Sequence, residues 1–369
     1  MTGPFADRLF RIAFALAGCY NLAFGLWAGF CPLAFFELFE LAPPRYPGIW
    51  ACLGMVVGVY GLLYLHAAWK LVTAWPIIAV GFLGKLLGPI GMVMSFGDEW
   101  PRRVGMICIY NDLIWWLPFA LFLVRGRALG HWIERAAPWI CIVFHLLASL
   151  VLLIFLRRGT LIESNEWFRA AYITDHRTLW SIGWFLWMLS AMSFVGFCAW
   201  WGSQLAVGQA VPDRSSRHDE ERQAQPDLRA TVATAAVLVA AFGTVFDFSG
   251  EGLAILVLVE RAAPSLAFDN DLSDAWDAAA FTSVERSFTL LSAGVANFLY
   301  TIAGIVLTLA TPKLPKWLRA FMWVTWIAGI AMTVAAIFAN KTGIFASSIV
   351  LFPLLLLWTA WMGARWRGP

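Results

Sequence analysis

Residues 75–96 read WPIIAVGFLGKLLGPIGMVMSF, an apolar run interrupted by a single charge, Lys85. As a helix rising about 1.5 Å per residue, about 20 such residues cross the roughly 30 Å hydrocarbon core of a bilayer. Residues 104–124 form a second run of this kind, and its exception is Asp112. An unpaired charge at such depth costs several kcal/mol, so both residues mark either a buried ion pair or a working site. Counted from the outer ends of two antiparallel helices, Lys85 lies roughly 16 Å deep and Asp112 roughly 12 Å, a difference that a lysine stem covers.

Working outward, the same texture fills the chain. Of 369 residues 61% are hydrophobic and 13% charged, which excludes a soluble domain and predicts an all-α polytopic membrane protein embedded in a lipid bilayer. Ten apolar runs are long enough to span, at 9–30, 49–69, 75–96, 104–124, 137–156, 179–201, 230–252, 283–310, 317–340 and 343–362. The arginine-rich segment Arg125 to Ala136 divides them into a four-helix block, 1–127, and a six-helix block, 128–369. The longest polar interruption, 202–230, reads as a solvated cytoplasmic loop.

Lysine and arginine collect on one side of these runs: Arg8, Arg11, Lys70, Arg125, Arg127, Arg135, Arg214 to Arg229, Lys313, Lys316, Arg319, Arg365 and Arg367. The positive-inside rule then places both termini in the cytoplasm of a cell inner membrane. Trp75, Trp100, Trp139, Trp180, Trp200, Trp201, Trp317, Trp358 and Trp361 fall near run ends, where an aromatic belt is expected. A net charge of +3 without a basic face implies no nucleic-acid partner. The six cysteines lack C-x-x-C spacing and imply neither a disulfide framework nor a metal site, and nothing calls for a cofactor. Leu16-Ala17-Gly18-Cys19 resembles a lipoprotein lipobox, but the apolar run continues to Phe30, so a retained first helix is expected.

The first block carries a candidate polar centre. Asn21 and Tyr60 on the first two spans reach depths of roughly 10 to 16 Å and can wall the Lys85–Asp112 pair. Asn111 adjoins Asp112 but is expected about 100° away around the helix. Gly54, Gly58 and Gly61, with Gly81, Gly84, Gly88 and Gly91, form small-residue stripes that permit close helix packing. Pro89 has no N–H for the Lys85 carbonyl and so frees it. With its aromatic Cys31 to Leu41 segment, expected to lie along the outer interface, residues 1–125 resemble the DoxX-like group of small four-helix bacterial membrane proteins. The resemblance implies a compact four-helix bundle and carries no catalytic residue.

In the second block His145 lies within the fifth span, with Asn297 and Tyr300 as expected partners; one deep histidine does not supply the pair a b-type haem needs. Asp247 and Glu251, one turn apart, are expected with Glu285 and Arg286 at an outward-facing polar mouth. Asn270, Asp271 and Asp274 are similar to the N-D-x-x-D-x-x-x-D signature of UbiA-type membrane prenyltransferases; Asp277 departs from its spacing, and the stretch falls on the outer face. P-loop, G-x-S-x-G and H-E-x-x-H motifs are absent. The sequence therefore predicts a multi-pass protein that binds or transports a small solute, ion or lipid-like molecule at a Lys/Asp-centred site. A membrane enzyme acting on a lipid or isoprenoid, or a membrane scaffold, is the alternative.

Overall fold

A computed structural model describes residues 3–97, 100–207, 219–264, 272–312 and 314–365. Among them are ten helices long and apolar enough to cross a membrane, and no strand beyond an isolated bridge between Phe96 and Trp100. The protein is an all-α polytopic membrane protein. It divides into two compact units, Met1–His131 and Trp132–Pro369.

In the first unit α1 (Pro4–Phe30) packs along α3 (Pro47–Trp69). Their backbones touch through glycine: a Cβ on Gly25 would stand 2.6 Å from the Gly58 Cα and 2.8 Å from the Gly54 carbonyl. Between them lies the short α2 (Ala34–Leu38), whose Phe35 and Phe36 bury against Trp50, Trp100 and Val104. α4 (Trp75–Met94) and α5, the Arg102–Val124 span, complete the bundle. α5 is irregular: a π-helical turn, Ile109–Leu113, interrupts it. Phe10, Phe14, Tyr64, Ile78, Trp115 and Phe119 form the core at one end.

α6 (Ala128–Ile154) leads into the second unit. The helix takes in most of the arginine-rich stretch read as a divider, because Ala128 to Ala137 favours helix as strongly as the apolar run it precedes. The amphipathic α7 (Glu166–Asp175) follows, its first turn capped by the Asn165 side chain, which accepts from the Trp167 and Phe168 amides. α8 is Arg177–Val207; α9 runs from Asp219 to Gly252 and continues through a π turn, Leu253–Val257, to Ala262. The 202–230 loop is thereby corrected: helix occupies both its ends, and residues 208–218 lie outside the described part. α10 comprises Leu272–Thr289, a π segment Leu290–Ala296, and Asn297–Ala310; α11 (Lys316–Ile337) and α12 (Lys341–Arg365) end the chain.

Four tryptophans expected in an aromatic belt are core residues instead. Trp180, Trp200, Trp201 and Trp358 are buried, whereas Trp75, Trp139 and Trp317 stay exposed as a belt requires. Trp201 donates to Thr311 Oγ1 at 3.0 Å, so its polar edge is satisfied inside the protein.

Candidate functional site

The Lys85–Asp112 centre is a buried ion pair. Both residues are 4% exposed, and Lys85 Nζ stands 4.0 Å from Asp112 Oδ1. The ammonium donates to the Asn111 carbonyl, and the rings of Tyr64, Trp115 and Phe119 surround it with centroids at 5.8 to 6.0 Å. Asn111, expected on another face, belongs to this centre because the π turn widens the helix there. Its Nδ2 donates to Asp112 Oδ1 at 2.8 Å. The Lys85 carbonyl freed by Pro89 accepts from Trp116 Nε1 at 2.9 Å. Gly88 gives Asp112 its room: a Cβ there would lie 3.0 Å from Oδ2.

Of the two walls expected from the sequence, neither bonds the pair directly. Asn21 is buried on the α1 face against Gly58, and its side-chain Oδ1 has no hydrogen-bond partner among the described residues. Tyr60 packs beside Tyr64, with ring centroids 6.4 Å apart. Among the described residues neither hydrogen-bonds Lys85 or Asp112.

The second unit holds a different arrangement. Asp247 and Glu251 are not at an outer mouth. The apolar run from Leu253 to Val259 carries α9 on past them to Ala262, which leaves Asp247 near the middle of the Leu228–Ala262 helix. Both are buried, Glu251 completely. Asp247 accepts from Ser292 Oγ at 2.6 Å and from Tyr300 Oη at 3.1 Å, and Tyr300 lies 3.3 Å from Thr244 Oγ1. Among the described residues neither Glu251 carboxyl oxygen has a hydrogen-bond partner. No basic side chain among the described residues pairs with either acid.

Asp247, Ser292 and Tyr300 open onto a cavity of about 80 Å³, lined also by His145, Trp187, Ser190, Phe194, Asn297, Trp326 and Phe352. These residues come from near the middle of α6, α8, α9, α10, α11 and α12. His145, expected to bond Asn297 and Tyr300, shares the cavity with them but bonds backwards: its Nδ1 lies 2.9 Å from the Cys141 carbonyl. A carbonyl only accepts, so Nδ1 carries the proton and Nε2, on the opposite edge of the ring, is an acceptor. Asn297 spends its Nδ2 on the Gly329 carbonyl at 2.6 Å and Thr333 Oγ1 at 2.9 Å, tying α10 to α11.

Glu285 and Arg286 part company. Glu285 is held bidentately by the buried Arg169 of α7, with both N–O distances 2.7 Å, and Arg169 also donates to the Glu163 and Ser164 carbonyls. Arg286 is exposed in an open cleft of about 550 Å³ with Ser283, Ser287 and Glu166. Sequence reasoning missed Arg169; its one signal was an arginine on the apolar side of a short amphipathic helix. Of the acidic ladder, Asn270 and Asp271 lie outside the described residues, and Asp274 and Asp277 fall in the first turns of α10.

Set against known proteins, the chain matches no family model, no curated protein and no solved structure.

Proposed function

We propose that this multi-pass membrane protein binds, and carries across the bilayer, a small positively charged solute at Asp247. One observation carries the reading: a buried carboxylate in mid-span lines a cavity and has hydroxyl partners but no cation. A carboxylate taken out of water needs a counter-charge, and the effective penalty is several kcal/mol when none is supplied. A cation entering the cavity supplies it. The Lys85–Asp112 centre supports a different role, because its two charges already face each other and its ammonium already donates to the Asn111 carbonyl. It holds the first unit in register.

The distribution of Lys and Arg supports a bacterial inner membrane with both termini in the cytoplasm, and the first unit's resemblance to DoxX-like proteins accords with its four spans. The site is tested on the purified full chain in detergent by following its unfolding temperature as sodium, potassium or ammonium chloride is added at constant ionic strength. Bound ligand stabilises the folded state in proportion to its occupancy. Wild type should gain stability from at least one of these cations, and Asp247→Asn should lose the response. Equal behaviour of the two proteins with every salt sinks the proposal.

A further inference from the structure

The walls of the cavity say which kind of cation fits. Five rings follow one another around it: Trp187 lies 5.3 Å from Phe352, Phe352 6.4 Å from His145, His145 6.3 Å from Phe194, and Phe194 5.4 Å from Tyr300, measured between centroids. Trp326 lines the same space. Ring faces attract cations through their quadrupole, and they do so best for ions that shed water easily. Asp247 closes the belt with a negative charge. Each of its oxygens accepts one hydroxyl, whereas a carboxylate offers about four acceptor positions. His145 Nε2 adds another acceptor.

We infer that the solute is a small aliphatic ammonium ion, a deepening that rests on the Asp247 reading above. The N–H groups of such an ion donate to Asp247 and His145 while its methyl groups lie against the rings. A bare alkali ion gains less from this lining, because hard ions are held by cages of several oxygen ligands, and six of the fifteen residues lining this wall are rings while a single one is a carboxylate. Size narrows the class further. A cavity of about 150 Å³ admits benzene, so one of about 80 Å³ suits an ion of about two or three heavy atoms, methylammonium or dimethylammonium, each of which keeps the two N–H donors that Asp247 and His145 require. The other titratable groups facing Asp247 are Glu251 on its own helix, Tyr300 on α10 and His145 on α6, and none of them supplies a competing fixed positive charge.

The test uses the full chain in detergent, titrated with methylammonium, dimethylammonium and sodium chlorides at matched ionic strength and followed by unfolding temperature and calorimetry. Wild type should bind the methylated ammonium ions at least tenfold more tightly than sodium. Phe352→Leu, which keeps an apolar side chain at this position, should weaken ammonium binding by about tenfold and leave sodium binding unchanged. Asp247→Asn should abolish both. Binding of sodium as tight as that of methylammonium, or ammonium binding indifferent to Phe352→Leu, overturns the ammonium assignment while the Asp247 reading stands. Absence of any cation response in folded wild type overturns both.

Discussion

At the residue scale, several backbone carbonyls released inside the apolar spans are taken by a side chain. Pro89 releases the Lys85 carbonyl, which Trp116 caps. The π turn in α5 offers the Asn111 and Tyr110 carbonyls to Lys85 and Trp115. In α9 the Ala254 carbonyl accepts from Trp180 Nε1 at 2.8 Å, and in α10 the Gly294 carbonyl accepts from Thr333. Without water, each would otherwise cost the price of an orphaned polar group. Trp116→Phe should therefore lower stability by about 1–3 kcal/mol, measured as a fall in unfolding temperature with unchanged cation response. Lys85→Met alone strands Asp112 and should cost about 3–5 kcal/mol, while adding Asp112→Asn should recover part of that loss. A double variant no better than the single would show that the two charges do not stabilise one another. Glu251 has no such partner, so Glu251→Met removes a desolvated carboxyl and should raise the unfolding temperature by an amount equivalent to about 1–3 kcal/mol. A fall instead would reveal a partner for the carboxyl.

At the element scale, glycine spacing separates packing faces from lipid faces. Gly25 meets the α3 backbone, and Gly25→Ala should destabilise the first unit by about 1–3 kcal/mol through overpacking. At Gly84 and Gly91, read in the sequence as part of one stripe, an added Cβ would meet no other part of the protein within 4 Å, whereas at Gly81 and Gly88 it would meet Tyr64 and Asp112. Gly84→Ala should accordingly be neutral or gain up to about 1 kcal/mol from helix propensity. Comparing the two variants by thermal unfolding checks both assignments. The ten spans were legible because a run of about 20 apolar residues has few alternatives. The position of Asp247 was not, because Glu251 reads as the polar end of a span when nothing shows that a carboxyl is buried. Nor was Asn111, whose expected direction assumed regular α-helical turns; π turns leave no fixed mark in sequence. The cavity needed side chains from six helices, and only His145, Asp247, Asn297 and Tyr300 among them carried enough polarity to attract notice.

At the scale of the whole molecule, the ten candidate spans among the described residues would put both termini on one side if all of them cross, and the positive-inside rule then gives the side to expect. Several of those residues also close helix ends. In the first unit Arg11 donates to the Ala68 and Trp69 carbonyls that end α3, and Arg125 pairs with Asp7 at 2.9 Å. In the second, Arg319 donates to the Thr311 and Pro312 carbonyls just beyond α10. A cation at a helix C-terminus is favoured by the macrodipole and satisfies carbonyls that the helix leaves open. These arginines are thus fixed at helix ends by their own bonds, and a chain inserted the other way would have to carry them across as fixed charges. Both termini are therefore expected in the cytoplasm. Green fluorescent protein fused after Pro369 should fluoresce, and alkaline phosphatase fused at the same point should stay inactive. The reverse pair of results would invert the topology, and with it the side from which a solute at Asp247 enters.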